Sequence, residues 1–188
     1  YAPGLWRKMA DLGWMGIVFP EAYGGIGGDF LDLLVLLEEM GRACLPGPFF
    51  STVVLGGVPV LEAGSASQKE EFLSRIASGH LIMTLAHTEP ATTQFDPHLI
   101  GVKATAEENR YSINGTKLFV PDAHVADYMI CVARTKGEID SPEGLTLFLV
   151  DARSPGIKWE FLRTVARDKQ CEVIFQNVKV PPGNILGG

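Results

Sequence analysis

Phe72-Leu73-Ser74-Arg75-Ile76-Ala77-Ser78-Gly79-His80-Leu81-Ile82-Met83-Thr84-Leu85-Ala86-His87 is where the chain changes its period. Phe72, Leu73 and Ile76 fall on one face of a helix, and Gly79 stands where such a helix is expected to stop. Leu81–His87 is then a short apolar run of strand length. Reading outward from this junction gives an α+β fold: an N-terminal α-helical domain over residues 1–80, then an antiparallel β-barrel/sandwich domain over residues 81–188.

Upstream the spacing is helical. Ser67 followed by Glu70 reads as a capping box opening the helix that ends at Gly79. The apolar stretch Phe49–Ala63 carries Gly56, Gly57 and Pro59, which weaken it as a helix. Phe30–Met40, capped by Asp29 and stopped before Pro46-Gly47-Pro48, is apolar nearly all round, the pattern of a helix buried between others. Leu5, Trp6, Met9 and Leu12 mark a first helix that ends near Gly13.

Downstream the runs are short and rich in β-formers: Gly101–Glu107, Tyr111–Asn114, Lys117–Val120, Tyr128–Arg134, Leu145–Asp151, Ile157–Leu162 and Glu172–Phe175. Glu108-Asn109, Asn114-Gly115 and Ser154-Pro155-Gly156 separate them, and Asn114-Gly115 is a hairpin signal between two of the runs. Short strands with frequent turns and no helices between them suggest a barrel or sandwich.

A net charge of −6, with Lys and Arg scattered singly, excludes a phosphate-backbone partner such as nucleic acid. The longest apolar run, around Leu31–Leu37, is far short of the ~20 residues a membrane span needs, and no leader pattern opens the chain. Cys44, Cys131 and Cys171 lie far apart, and the four histidines never reach a metal-binding spacing, so no metal site is expected. The thiols are expected to be buried and reduced, and the compartment to be cytoplasmic, or the mitochondrial matrix if eukaryotic.

The glycine-rich Pro20–Asp29 stretch fails as a phosphate cradle. Counting from Gly25, the sixth position is Phe30, and no Gly-Lys pair follows. Three other segments carry more. They are Leu12-Gly13-Trp14-Met15-Gly16-Ile17 with Pro20-Glu21-Ala22-Tyr23-Gly24-Gly25 and Glu38-Glu39-Met40-Gly41-Arg42; Thr88-Glu89-Pro90; and Ile113-Asn114-Gly115-Thr116-Lys117-Leu118-Phe119-Val120. With the closing Phe175-Gln176-Asn177-Val178-Lys179-Val180-Pro181, their order and intervals resemble the N-terminal and middle domains of the acyl-CoA dehydrogenase family over essentially the whole chain.

That resemblance implies an FAD enzyme converting an acyl-CoA thioester into the trans-2-enoyl-CoA. It implies an acyl-CoA substrate, an electron-transfer flavoprotein as acceptor, and a homo- or hetero-oligomer when full length. It assigns Leu85, His87, Thr88, Phe119, Val120 and Pro121 to the cofactor, with donors near the pyrimidine edge and an aromatic ring along the flavin. Thr93 and Gln94 fall near the thioester end of the substrate. No catalytic residue is expected here, because the family's catalytic glutamate lies in a C-terminal helical domain with no counterpart in these residues, and the polypeptide alone is expected to be inactive. Glu89 is not the base either: a carboxylate before a proline at a strand end is expected to be solvated.

Three departures stand out. Ala91-Thr92-Thr93-Gln94-Phe95-Asp96 replaces the family's G-S-D-type turn, and Pro121 stands where a threonine commonly bonds the flavin near N5. His87 stands where an apolar residue is usual. These changes also suit an acyl-CoA oxidase or flavin monooxygenase of the same fold, or a non-catalytic companion subunit that binds a partner or ligand through its β-domain.

Overall fold

The computed structural model describes residues 1–91, 99–139, 141 and 143–188. Among them the chain builds α1 (Pro3–Asp11), α2 (Phe30–Arg42), α3 (Val58–Ala63) and α4 (Ala66–Ala77), followed by seven strands. These are β1 (Met83–Ala86), β2 (Lys103–Glu107), β3 (Arg110–Pro121), β4 (Tyr128–Arg134), β5 (Leu145–Asp151), β6 (Ile157–Phe161) and β7 (Gln170–Val180). The helices-then-strands order expected from the sequence is present. Two units result, Tyr1–Met83 with Gly187 and Thr84–Leu186 with Gly188.

In the first unit, Trp6 and Met9 of α1, Met15, Phe19, Leu33 of α2, and Phe72, Leu73 and Ile76 of α4 are buried together with Val53 and Val60. The Trp6 indole N–H is not left dry: it donates to the Gly79 carbonyl at 2.9 Å. Helix α4 starts two residues before its expected place. Ser65, not Ser67, accepts from Gln68 N at 3.3 Å, while Gln68 Oε1 accepts from Ser65 N at 3.0 Å. Gln68 serves the box as well as glutamate would, which is why the offset is hard to read from sequence. Asp29 caps α2 as expected, with Asp32 returning the bond.

Two helical expectations change. The stretch Phe50–Gly57 is a π-helix running into α3. Pro59 has no N–H to give and its ring would press on the carbonyl four residues back, so the widened turn ahead of it relieves a conflict that an α-helix would have to absorb. Helix α2 is not buried all round: Leu33 and Met40 are inside, whereas Phe30, Leu31, Leu34 and Val35 are exposed. No helix among the described residues is long and apolar enough to cross a membrane.

The second unit is a curled sheet in the order β1-β4-β2-β3-β7-β6, with β5 also pairing β4. Most registers are antiparallel, but Lys103 of β2 meets Arg134 of β4 in parallel, so the sheet is mixed. β4 is buried along nearly its whole length, as its continuous apolar sequence requires. Asn114-Gly115 does not turn the chain. β3 runs straight through it, with a bulge between Ile113 and Gly115 against β7. Asn114 Oδ1 accepts from Asn177 N at 2.8 Å, and a Cβ on Gly115 would stand 2.6 Å from Val102 Cγ2. The dipeptide supplies the unusual backbone of a bulge (Gly115 φ +142°) rather than of a hairpin. The hairpin joining β2 to β3 turns instead at Glu108-Asn109.

Candidate functional site

The end of β3 and the segment after β1 meet through their backbones. Leu118 N donates to the Thr88 carbonyl at 2.8 Å, and the Thr84 hydroxyl donates to the Pro121 carbonyl at 2.6 Å. Between these anchors the β3–β7 register slips, so that Leu118 and Phe119 stand opposite Glu172 alone. Phe119 absorbs the extra residue in the left-handed region, at φ +53°, and its side chain is 55% exposed. An aromatic residue in that backbone region costs about 1–2 kcal/mol, and its ring recovers little by burial. Such strain persists only where the surroundings over-determine it, and it concentrates at functional sites. Phe119→Gly is therefore expected to leave thermal stability unchanged or raise it by about 1 kcal/mol. A clear fall in melting temperature would show instead that the ring supports the fold.

Below this surface lies a buried ion pair. Lys117 is fully buried, and its Nζ reaches Glu89 Oε1 at 2.6 Å and the His87 carbonyl at 3.0 Å. The Glu89 carboxylate also accepts from Gly101 N at 2.8 Å and from Val102 N at 3.0 and 3.2 Å. Glu89 is thus not solvated, contrary to the expectation from its place before a proline; it is 6% exposed. A carboxylate can be buried here because a cation and two amides replace its water. Next to it, burial first and then the Lys117 charge hold the His87 imidazole below its ordinary range, against a smaller opposing pull from Glu89. His87 is accordingly neutral at pH 7. Burial pushes the nearby Cys131 thiol up to about 12, which makes it inert. Of the three cysteines, Cys131 and Cys171 are buried as expected, whereas Cys44 is exposed.

Leu85, His87 and Thr88 are half-buried at the end of β1 and just beyond it, and Pro121 is half-buried at the end of β3. Val120 is buried, so it presents no side chain outward beside Phe119. Thr93 and Gln94 lie outside the described residues. Sequence reasoning missed Thr84, and it missed the pairing of Glu89 with Lys117. A lysine inside an apolar strand was the one available signal, since such a residue needs a buried partner. No group of His, Cys, Asp and Glu that could hold a metal occurs among the described residues.

As a surface, the site offers an exposed ring, the Thr88 hydroxyl (which has no partner among the described residues), and a neutral imidazole one residue away. These suit the face and one polar edge of a flat heterocycle such as flavin. Pro121 offers no donor on the other side, because it has no N–H, and its carbonyl, an acceptor, is already taken by the Thr84 hydroxyl.

Comparison with known proteins matches residues 1–80 to the family model "Acyl-CoA dehydrogenase, N-terminal domain" and residues 84–178 to "Acyl-CoA dehydrogenase, middle domain". A probable acyl-CoA dehydrogenase of Bacillus subtilis is 33% identical over 190 residues, covering 96% of this chain and 49% of that protein. The crystal structure of an acyl-CoA dehydrogenase from Geobacillus kaustophilus superposes with a TM-score of 0.90 at 28% identity, covering 100% of this chain and 50% of that one. A chain of the ChsE4–ChsE5 complex from Mycobacterium tuberculosis gives a TM-score of 0.86 at 27% identity, covering 97% of this chain and 47% of that one. The chain spans about half the length of the curated relatives it matches.

Proposed function

Because this chain belongs to the acyl-CoA dehydrogenase family, we propose that it forms the helical and flavin-facing β portions of an FAD-dependent enzyme that makes a 2-enoyl-CoA from an acyl-CoA. The single observation that carries this is Phe119, strained and exposed between two backbone anchors, in the segment whose resemblance to the family assigns it to the flavin. FAD, when bound, supplies a hydride acceptor for the β-hydrogen of the substrate. On the protein side, the Phe119 ring would hold the flavin by its flat face, and the Thr88 hydroxyl would supply a donor where reduction puts negative charge. His87, held neutral, adds no charge that would oppose or over-stabilise the oxidised ring. The carboxylate that takes the α-proton is supplied from outside these residues. Electron-transfer flavoprotein is the proposed acceptor, and the two buried reduced thiols support a reducing compartment, the cytoplasm or the mitochondrial matrix.

The test is the visible absorption spectrum of the full-length protein. A flavin band that bleaches anaerobically on adding acyl-CoA is expected. A protein that stays colourless after incubation with FAD overturns the proposal. That outcome promotes a second reading, a companion subunit that shapes a partner's site. It is favoured by the missing donor at Pro121 and by the fold shared with a chain of the two-component ChsE4–ChsE5 complex.

A further inference from the structure

We propose that Lys117 and Glu89 act as a positioning pair that sets the Thr88 hydroxyl and the Phe119 ring for the flavin; the inference rests on the FAD reading above. Three consecutive residues after β1 are tied down, each by a different bond. Lys117 Nζ takes the His87 carbonyl at 3.0 Å, Leu118 N takes the Thr88 carbonyl at 2.8 Å, and Lys117 Nζ takes the Glu89 carboxylate at 2.6 Å. Glu89 then spans to Gly101 and Val102, fixing the start of the next stretch that enters β2. This leaves the Thr88 hydroxyl untied among the described residues and available to the cofactor. On the other strand, Lys117 lies two residues before Phe119, at the last register point before the bulge. One buried ammonium thus fixes both halves of the surface relative to each other, and its carboxylate partner is itself buried.

A merely structural pair would behave differently. Replacing a buried ion pair by uncharged groups of similar shape is often neutral for stability, so stability and positioning can be separated. The full-length Lys117→Met/Glu89→Gln double variant keeps the volume of both side chains and loses the Lys117 bonds to His87 and Glu89. We expect its apoprotein to melt within about 5 °C of wild type. Its FAD dissociation constant should rise about tenfold or more, with a changed visible circular dichroism of bound flavin. Glu89→Gln alone keeps one oxygen for Lys117 but turns an NH2 donor against the Gly101 or Val102 amide and leaves the ammonium uncompensated, so its affinity and dichroism are expected to depart from wild type as well. Wild-type affinity and dichroism in the double variant overturn the proposal. Should the double variant not reach the native state, Glu89→Asp carries the same test. Its carboxylate is one methylene too short to span Lys117 and both amides, so a smaller weakening is expected and wild-type binding again overturns it. A wild-type protein that takes up no FAD overturns the cofactor reading together with this one. FAD binding by wild type with indifferent variants overturns the pair alone.

Discussion

The single variant Lys117→Met is expected to lower the stability of the β unit by about 3–5 kcal/mol. It leaves Glu89 inside the protein as a carboxylate stripped of its Lys117 cation, with the Gly101 and Val102 amides still donating to it. The protein can respond by protonating Glu89 or by letting water in, and either response spends folding free energy. With an m-value of about 2 kcal/mol per molar urea, the midpoint of the β unit should fall by about 2 M. The double variant, which removes both charges, should recover most of that loss. A single variant within about 1 kcal/mol of wild type would mean that the pair is screened by solvent after all, as exposed pairs are.

Gly25→Ala should cost about 3 kcal/mol or more, at the upper end of what overpacking does. A Cβ at residue 25 would lie 2.0 Å from the Phe19 carbonyl oxygen, 2.5 Å from its carbon and 2.6 Å from the Gly16 oxygen. All three obstacles are backbone, so no rotamer change can make room. Both carbonyls are also engaged: Gly16 O accepts from Phe19 N and Ile26 N, and Phe19 O accepts from Gly27 N. Moving them apart breaks the bonds that shape the loop between α1 and α2. Gly4→Ala is the matched control, because a Cβ there meets nothing within 4 Å. In the first turn of α1 it should gain a few tenths of a kcal/mol, less than the roughly 1 kcal/mol of a helix interior. Thermal melts of the two variants moving in opposite directions are the expected result; equal shifts would remove the steric account.

The glycine-rich loop thus has a packing purpose that its failed phosphate spacing could only hint at. Elsewhere, legibility followed the range of the interaction. Helix-before-strand order was readable because periodicity is local, and so were the end of α1 near Gly13 and the start of α2 at Asp29. The offset of α4 was ambiguous because Ser65/Gln68 and Ser67/Glu70 both satisfy one pattern. Asn114-Gly115 was misread because a turn and a bulge ask the same backbone freedom of it; what decides is Asn177, 63 residues away. The solvation of Glu89 was misjudged for the same reason, its cation lying 28 residues downstream. The all-round apolar character of α2 is a true property of its sequence, but composition does not say what covers each face. Thr88 and Phe119 were named by resemblance alone, and no periodicity would have brought them together. The bond between Thr88 and Leu118 is a property of how the sheet curls.

The bulge at Asn114-Gly115 also bears on how this protein ages. In a loose chain, the Asn side-chain carbon is readily attacked by the next residue's nitrogen, above all when that residue is glycine, and the amide is lost as ammonia. Here Asn114 and Gly115 lie within β3 between two partner strands, opposite Lys103 and Phe175 respectively. Closing the ring would swing the Asn114 side chain onto its own backbone and break its bond to Asn177 N. The most chemically perishable dipeptide in the sequence is therefore held out of reach of its own decay for as long as the sheet stays folded.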